Sequence, residues 1–406
     1  MLLVIVVLSA VALRLGGFAL GWTSSSVASA VYGEFGSPYG AFGPHAVGLH
    51  SVSVGDPTPM EGVLWYPAEG QTGSGHVAYT YGLKAFGDAP FTLATYAGIG
   101  TREAKADHAA GPFPLVVFSP GFAFGAETYA WLAEHLASHG FVVLAVEHAE
   151  ELDPSALWQA TVDRPRDIVA ALDHAEREVS SGEWSDLVDA SRVAVVGHSY
   201  GGYTALAAAG ARLDTTRLRE ICEAASPDDP IGFQCDALAL HVDDMADAAD
   251  LGSMPDGLWP TWGDVRVDAA IALAGDAVMF GEAGMAKVEV PVMAIGGTAD
   301  VDSPYAWGTQ LAYEAASSPR KVEIGLEDAE HMVFTGPCDT SRRILTMLRE
   351  PFCADPAWER AQAHALVRHY ATAFLLAELK DDAAAARSLA PGANSFGGVR
   401  YTATGY

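Results

Sequence analysis

Six residues, Gly197-His198-Ser199-Tyr200-Gly201-Gly202, set a serine hydroxyl between glycines in the pattern G-x-S-x-G. Residues 193–196 before them are all apolar, and residues 203–209 after them are small and helix-compatible. That context reads as a buried strand turning sharply into a helix. Such a turn presents the serine Oγ at the end of the strand and leaves no room for side chains at the flanking glycines. The helix N-terminus behind the serine favours developing negative charge. A serine hydroxyl is a weak nucleophile near neutral pH and needs a base beside it. Ser199 is therefore the candidate nucleophile of a covalent acyl-transfer reaction.

The partner residue types follow in the order acid, then histidine. Asp300 closes Gly297-Thr298-Ala299-Asp300, just past the apolar run 290–295. Asp302 and Asp276 are its rivals; Asp276 follows the preceding apolar run, 267–274. His331 lies in Asp328-Ala329-Glu330-His331-Met332, past the run 322–324. His364 and His369 fall in a helical pattern near the C-terminus and read as surface residues. The expected roles are His331 as general base and Asp300 as the acid that fixes its tautomer and steadies the imidazolium.

A tetrahedral intermediate also needs two donors for its oxyanion. One is expected from the Tyr200 N–H, the amide after the nucleophile. The other is expected from the Phe122 N–H in Phe118-Ser119-Pro120-Gly121-Phe122, with Gly121 allowing the turn. Phe122, Tyr200 and Met332 would line an apolar rim, which suits an uncharged ester. Glu147 and His148 follow a strand and are candidates for the rim as well, with Arg164 a prospective ion-pair partner for Glu147. This chemistry requires no metal and no organic cofactor.

The elements that must hold these residues alternate along the chain. Segments at 62–67, 113–118, 141–146, 191–196, 267–274, 290–295 and 322–324, most of their residues apolar, read as strands. Residues 127–139, ending at Gly140, and 164–179 carry helical spacing. Continuous apolar strands alternating with helices predict an α/β fold, a mostly parallel central sheet covered by helices on both faces. About 55 residues, 211–265, interrupt the rhythm after the nucleophile's helix. They read either as a cap over the site or as a peripheral helical decoration.

The chain has 406 residues, half of them hydrophobic, and a formal net charge of -28. So acidic a surface repels nucleic acid and anionic membranes. Residues 2–22 are apolar apart from Ser9 and Arg14, and Ala28-Ser29-Ala30 offers a small-residue cleavage site. Residues 1–30 thus read as a signal peptide, or alternatively as a membrane anchor through residues 2–22, with residues 31–406 as the catalytic domain. Four cysteines allow three pairings. Short loops are the least costly to close, so Cys222–Cys235 and Cys338–Cys353 are expected. A zinc site lacks the usual C-x-x-C spacing, and four free thiols are the remaining alternative.

Trp65-Tyr66-Pro67-Ala68, Phe118-Ser119-Pro120-Gly121, Val146-Glu147-His148, Arg164-Pro165-Arg166-Asp167 and the serine motif occur in that order. Together, over roughly residues 45 to 340, they resemble the α/β-hydrolase group of platelet-activating-factor acetylhydrolases and predicted dienelactone hydrolases. The Ser-Pro-Gly-Phe and Gly-His-Ser-x-Gly segments are similar to those of cutinase-like polyester hydrolases. True dienelactone hydrolases use a cysteine where Ser199 stands. The insertion and the tail after His331 depart from compact cutinases. The resemblance implies an α/β-hydrolase fold and a serine carboxylic ester hydrolase acting on a small-molecule or lipid-like ester. The specific alternatives are an acetylhydrolase-like phospholipase and a polyester hydrolase.

Overall fold

The computed structural model describes residues 37–55, 59–71, 76–84, 91–182, 184–226, 231–338 and 351–406. The apolar N-terminal run and the Ala28-Ser29-Ala30 segment lie outside the described residues. Among the described residues, no helix is long and apolar enough to cross a membrane.

Six strands form the parallel centre of a ten-stranded sheet: β6 (Phe113–Ser119), β7 (Val142–Val146), β8 (Val188–His198), β9 (Val267–Leu273), β10 (Val292–Gly297) and β11 (Lys321–Leu326). They run in the order β11-β10-β9-β8-β6-β7. β1 (Ala46–Val54) and β2 (Met60–Ala68) extend one side, where β2 joins β7 antiparallel and the two-residue β5 (Thr101–Arg102) pairs with β1. β12 (Val399–Thr404) closes the other side antiparallel to β11. β3 (Val77–Leu83) and β4 (Phe91–Gly98) make a separate two-stranded ribbon. The expected α/β-hydrolase fold, with its mostly parallel sheet, is present.

Both faces of the central strands are buried, which is why their sequences are apolar throughout rather than alternating. Adjacent residues serve opposite cores. Leu115, Val117 and Val195 pack with α2 (Leu157–Ser181) and α3 (Tyr200–Ala208). Val116, Phe118 and Val196 pack with α1 (Ala130–Ser138) and α9 (Arg360–Leu379). Further helices among the described residues include α4 (Thr215–Ala224), α5 (Gly232–Leu238), α6 (Val242–Ala248), α7 (Gly281–Met285), α8 (Thr309–Ala315) and α10 (Ala383–Ser388).

α2 begins earlier than expected, at Leu157, and runs through Pro165. A proline inside a helix leaves the carbonyl four residues back without its donor. Here the Tyr203 hydroxyl donates to the Thr161 carbonyl at 2.8 Å and fills that vacancy from α3. The two helices thereby lock together beneath the site.

Two sequence expectations are corrected. His364 and His369 are not surface residues; both are buried in α9. The His364 ring stacks on Trp131 at 3.6 Å between centroids, and its Nε2 lies 2.9 Å from the Thr335 carbonyl. α9 lies against both the sheet and α1, so its polar positions face neighbours rather than water. Arg164 does not pair with Glu147. Glu147 meets Lys84 at 2.7 Å, whereas Arg164 pairs with Glu150, further along the same loop.

Both expected disulfides are present, with Cα–Cα distances of 5.5 Å for Cys222–Cys235 and 5.6 Å for Cys338–Cys353. The first joins α4 to α5 inside the insertion. Helices α5 and α6 of that insertion pack on α2. The buried Trp259 anchors its return to the sheet, its Nε1 donating to Thr215 Oγ1 at 2.9 Å.

The turn after β8 brings backbone against backbone. A Cβ on Gly197 would overlap the Gly201 carbonyl oxygen, and one on Gly201 would overlap the Ser119 carbonyl oxygen. Gly201→Ala is expected to lower the unfolding free energy by about 2 to 3 kcal/mol, since the obstacle is backbone and cannot swing aside. Urea unfolding of the two proteins measures this. Equal midpoints would mean that the strand and helix separate more easily than their contact implies.

Candidate active site

Ser199 stands between β8 and α3 with φ 56° and ψ -122°. Few non-glycine residues adopt a positive φ, and such strain collects at functional sites. Three backbone bonds hold the conformation. The Ser199 N–H donates to the Leu273 carbonyl at 2.8 Å, and the Ser199 carbonyl accepts from Gly202 and Tyr203 at 2.8 and 3.2 Å. The Tyr200 N–H opens α3, where the first amides of a helix have no intrahelical acceptor.

His331 begins a short 3-10 turn, residues His331–Phe334, after β11. Asp300 lies in the loop after β10. The structure brings these two together: His331 Nδ1–H donates to Asp300 Oδ2 at 2.7 Å, with 5% and 1% of the two side chains exposed. The other Asp300 oxygen accepts from the Asp302 and Ser303 amides at 2.9 and 2.8 Å. Sequence order alone left Asp302 and Asp276 as rivals. Asp302 is exposed, and it is its backbone N–H that serves Asp300. Asp276 is buried but turns to the Val278 amide and to the side chain of Gln234.

His198 ties the histidine loop to the serine turn. Its ring lies 4.8 Å from the His331 ring, its Nε2 is 3.3 Å from the His331 carbonyl, and its Nδ1 is 2.9 Å from the Tyr129 hydroxyl. Burial, with the neighbouring His331, holds the His198 pKa well below its ordinary value, so this ring stays neutral.

The loop after β6 carries Phe122. Gly121 has no positive φ; its need for glycine is crowding, because a Cβ there would press on Phe124, Tyr129 and His198. The left-handed residue is instead Ala123, with φ 61°. Ser119 Oγ lies 2.8 Å from His148 Nε2, and the opposite ring nitrogen is 2.7 Å from Asp167. His148 is thus buried behind the loop and does not line a rim. The Tyr200 side chain is no rim group either. It is buried, with its hydroxyl on Thr161 Oγ1 and its ring stacked on Tyr203, while Phe122 and Met332 stay partly exposed.

Sequence reasoning missed Gln234, on α5 of the insertion. Its Nε2 donates to the Asp302 carbonyl at 3.2 Å and reaches Asp276 Oδ2 at 3.4 Å, so the insertion touches the acid side of the site. No motif surrounds Gln234 to announce it. Asp300, Asp302 and His331 also place ligand-type atoms within 4.8 Å of one another, but His331 Nδ1 is engaged by Asp300.

Residues 85–230 match the PET hydrolase-like family, PETase. Two cutinases of Thermobifida alba, est1 and est2, are each 40% identical over 102 residues. The matched part is 25% of this chain and 32% of each relative, so the chain spans about a third of the length of the curated relatives it matches. Of the resemblances read in the sequence, the cutinase-like one is the one these matches support. The family match takes in the Phe122 loop and the Ser199 turn and stops before Asp300 and His331.

Burial alone would depress the His331 pKa. The Asp300 carboxylate, with Asp302 and Asp276 further off, outweighs it and raises the value to about 9. A pKa above the unfolded value of about 6.5 contributes stability at low pH that is lost as pH rises through about 9. Asp300→Asn removes the main opposing charge, and the His331 midpoint should then fall to below about 6.5. NMR titration of the histidine imidazoles checks this, with the resonance assigned from His331→Gln. A midpoint unmoved by the substitution would show that Asp300 does not set the charge on His331.

Proposed function

We propose that this chain is a carboxylic ester hydrolase that works through an acyl-enzyme on Ser199. The observation that carries the reading is the buried His331–Asp300 hydrogen bond at 2.7 Å, seated against the turn that holds Ser199 at positive φ. In its neutral form, which the raised pKa makes dominant only at alkaline pH, His331 Nε2 takes the Ser199 hydroxyl proton as Oγ attacks the ester carbonyl. The tetrahedral oxyanion is held by the Phe122 and Tyr200 amides. As it collapses, the C–O bond to the alcohol breaks and His331 returns the proton to the leaving oxygen. Water then enters and gives a proton to His331 as its oxygen attacks the acyl carbon; the acyl–Oγ bond breaks, His331 returns the proton to Ser199 Oγ, and the acid leaves. Asp300 holds the imidazole by Nδ1 throughout.

The matches to PET hydrolase-like proteins and cutinases favour a polyester or cutin-type ester over a phospholipid. The partly exposed Phe122 and Met332 suit an uncharged acyl chain. We take residues 211–265 as a cap on the acid side of the site, joined to it through Gln234. Two disulfides and an apolar N-terminal run favour export, since such bonds persist in oxidising compartments.

Ser199→Ala should lower kcat on p-nitrophenyl esters by about 10⁶-fold. Asp300→Asn should cost about 10⁴-fold, whereas Asp276→Asn and Asp302→Asn should cost far less. Steady-state kinetics across a chain-length series, with a polyester film and a phospholipid alongside, ranks these. Full activity in Ser199→Ala would end the reading, and a greater loss in Asp276→Asn would move the acid to β9. Faster turnover of the phospholipid than of the film would restore the acetylhydrolase alternative.

A further inference from the structure

We propose that Arg164 is a positioning residue for the oxyanion site: its buried guanidinium, seated on Glu150, fixes the peptide planes of residues 120–122 and so aims the Phe122 N–H. The role rests on the ester hydrolase reading above.

Arg164 is fully buried on α2. A charge so placed must satisfy its donors or destabilise the fold. Nε and one terminal nitrogen bind the Glu150 carboxylate. NH1 donates to the Pro120 carbonyl at 2.7 Å and NH2 to the Gly121 carbonyl at 3.1 Å.

Planarity of the peptide gives that grip its consequence. In a trans peptide the C=O and the following N–H point in opposite directions. Holding the Pro120 carbonyl on Arg164 sends the Gly121 N–H the other way, and it donates to the Tyr129 hydroxyl at 3.1 Å. Holding the Gly121 carbonyl on Arg164 likewise turns the Phe122 N–H away from the guanidinium. The neighbouring amides are all engaged. Ala123 N–H donates to Glu150 Oε1 at 3.3 Å, and Phe124 N–H donates to the Gly121 carbonyl at 3.0 Å, which closes the turn. Among the described residues, the Phe122 N–H is the loop amide left without a partner. The guanidinium also lies 5.6 Å from the centre of the Tyr200 ring, beneath the residue that supplies the second amide. One side chain therefore braces both halves of the oxyanion site from behind, without touching substrate.

The test compares wild type, Arg164→Lys and the double variant Arg164→Met/Glu150→Met on a p-nitrophenyl ester, with active sites counted by fluorophosphonate titration. The double variant removes both buried charges at similar volume, an exchange that folds often tolerate. The expected result is a loss of about 10²-fold in kcat per titrated site, with KM changed by less than about threefold. Arg164→Lys should fall between, because an ammonium cannot fork to two carbonyls and a carboxylate at once. It also keeps the positive charge, so it serves as the readout if the double variant does not fold. A purely structural role would reduce the number of titratable sites and leave kcat per site unchanged. That result in either folded variant would overturn the proposal while leaving the ester hydrolase reading intact. A wild-type protein without Ser199-dependent turnover would overturn both.

Discussion

The close approach of backbone to backbone at the end of β8 is the constraint on which the rest depends. Ser199 adopts a positive φ because the chain must leave the sheet and enter α3 within one residue. Gly197, Gly201 and Gly202 keep that corner free of side chains, and Gly275 does the same for the facing loop. Once the corner is set, the parallel sheet brings the other parts to it. β6 and β9 flank β8, and the loops after β6, β10 and β11 emerge at the same edge. Carboxyl ends of parallel strands are where α/β folds gather their ligand-binding groups. Phe122, Asp300 and His331 are each on one of those loops.

Two buried ion pairs then stiffen the edge. Asp300 holds His331 on one side, and Glu150 holds Arg164 on the other. Burial works against the charge on Glu150, yet the Arg164 guanidinium keeps its pKa down to about 2, so the pair stays ionised. Between the pairs sits the neutral His198, joined to Tyr129 on the side of the Phe122 loop and to the His331 backbone on the other. The arrangement makes the serine corner, the histidine loop and the Phe122 loop mutually dependent through buried hydrogen bonds.

The strands and the serine corner were legible because their signals are local. Val193 to Val196 must be apolar to lie between two cores, and the glycines must be glycines to let the backbones meet. Both cysteine pairings were legible for the same reason, being short-range. What was not legible depends on long-range register. Nothing in the spacing separates Glu147 from Glu150 as the partner of Arg164; the path of the loop decides. His364 and His369 carry the pattern of an exposed helix, and only the packing of α9, with His364 stacked on Trp131, buries them. Three aspartates after the late strands were candidates for the acid. The Asp302 and Ser303 amides turn the Asp300 carboxylate toward His331, and no sequence pattern carries that. β12 and the β3–β4 ribbon lacked a buried apolar run, since each keeps one face partly exposed.

Labelling the purified protein with a fluorophosphonate, followed by peptide mass spectrometry of the adduct, tests most directly whether Ser199 is the nucleophile. A single phosphonyl group should appear on the peptide containing Ser199, with ester turnover lost in proportion to its incorporation. Label on a different residue, or complete labelling of Ser199 with turnover undiminished, would contradict it.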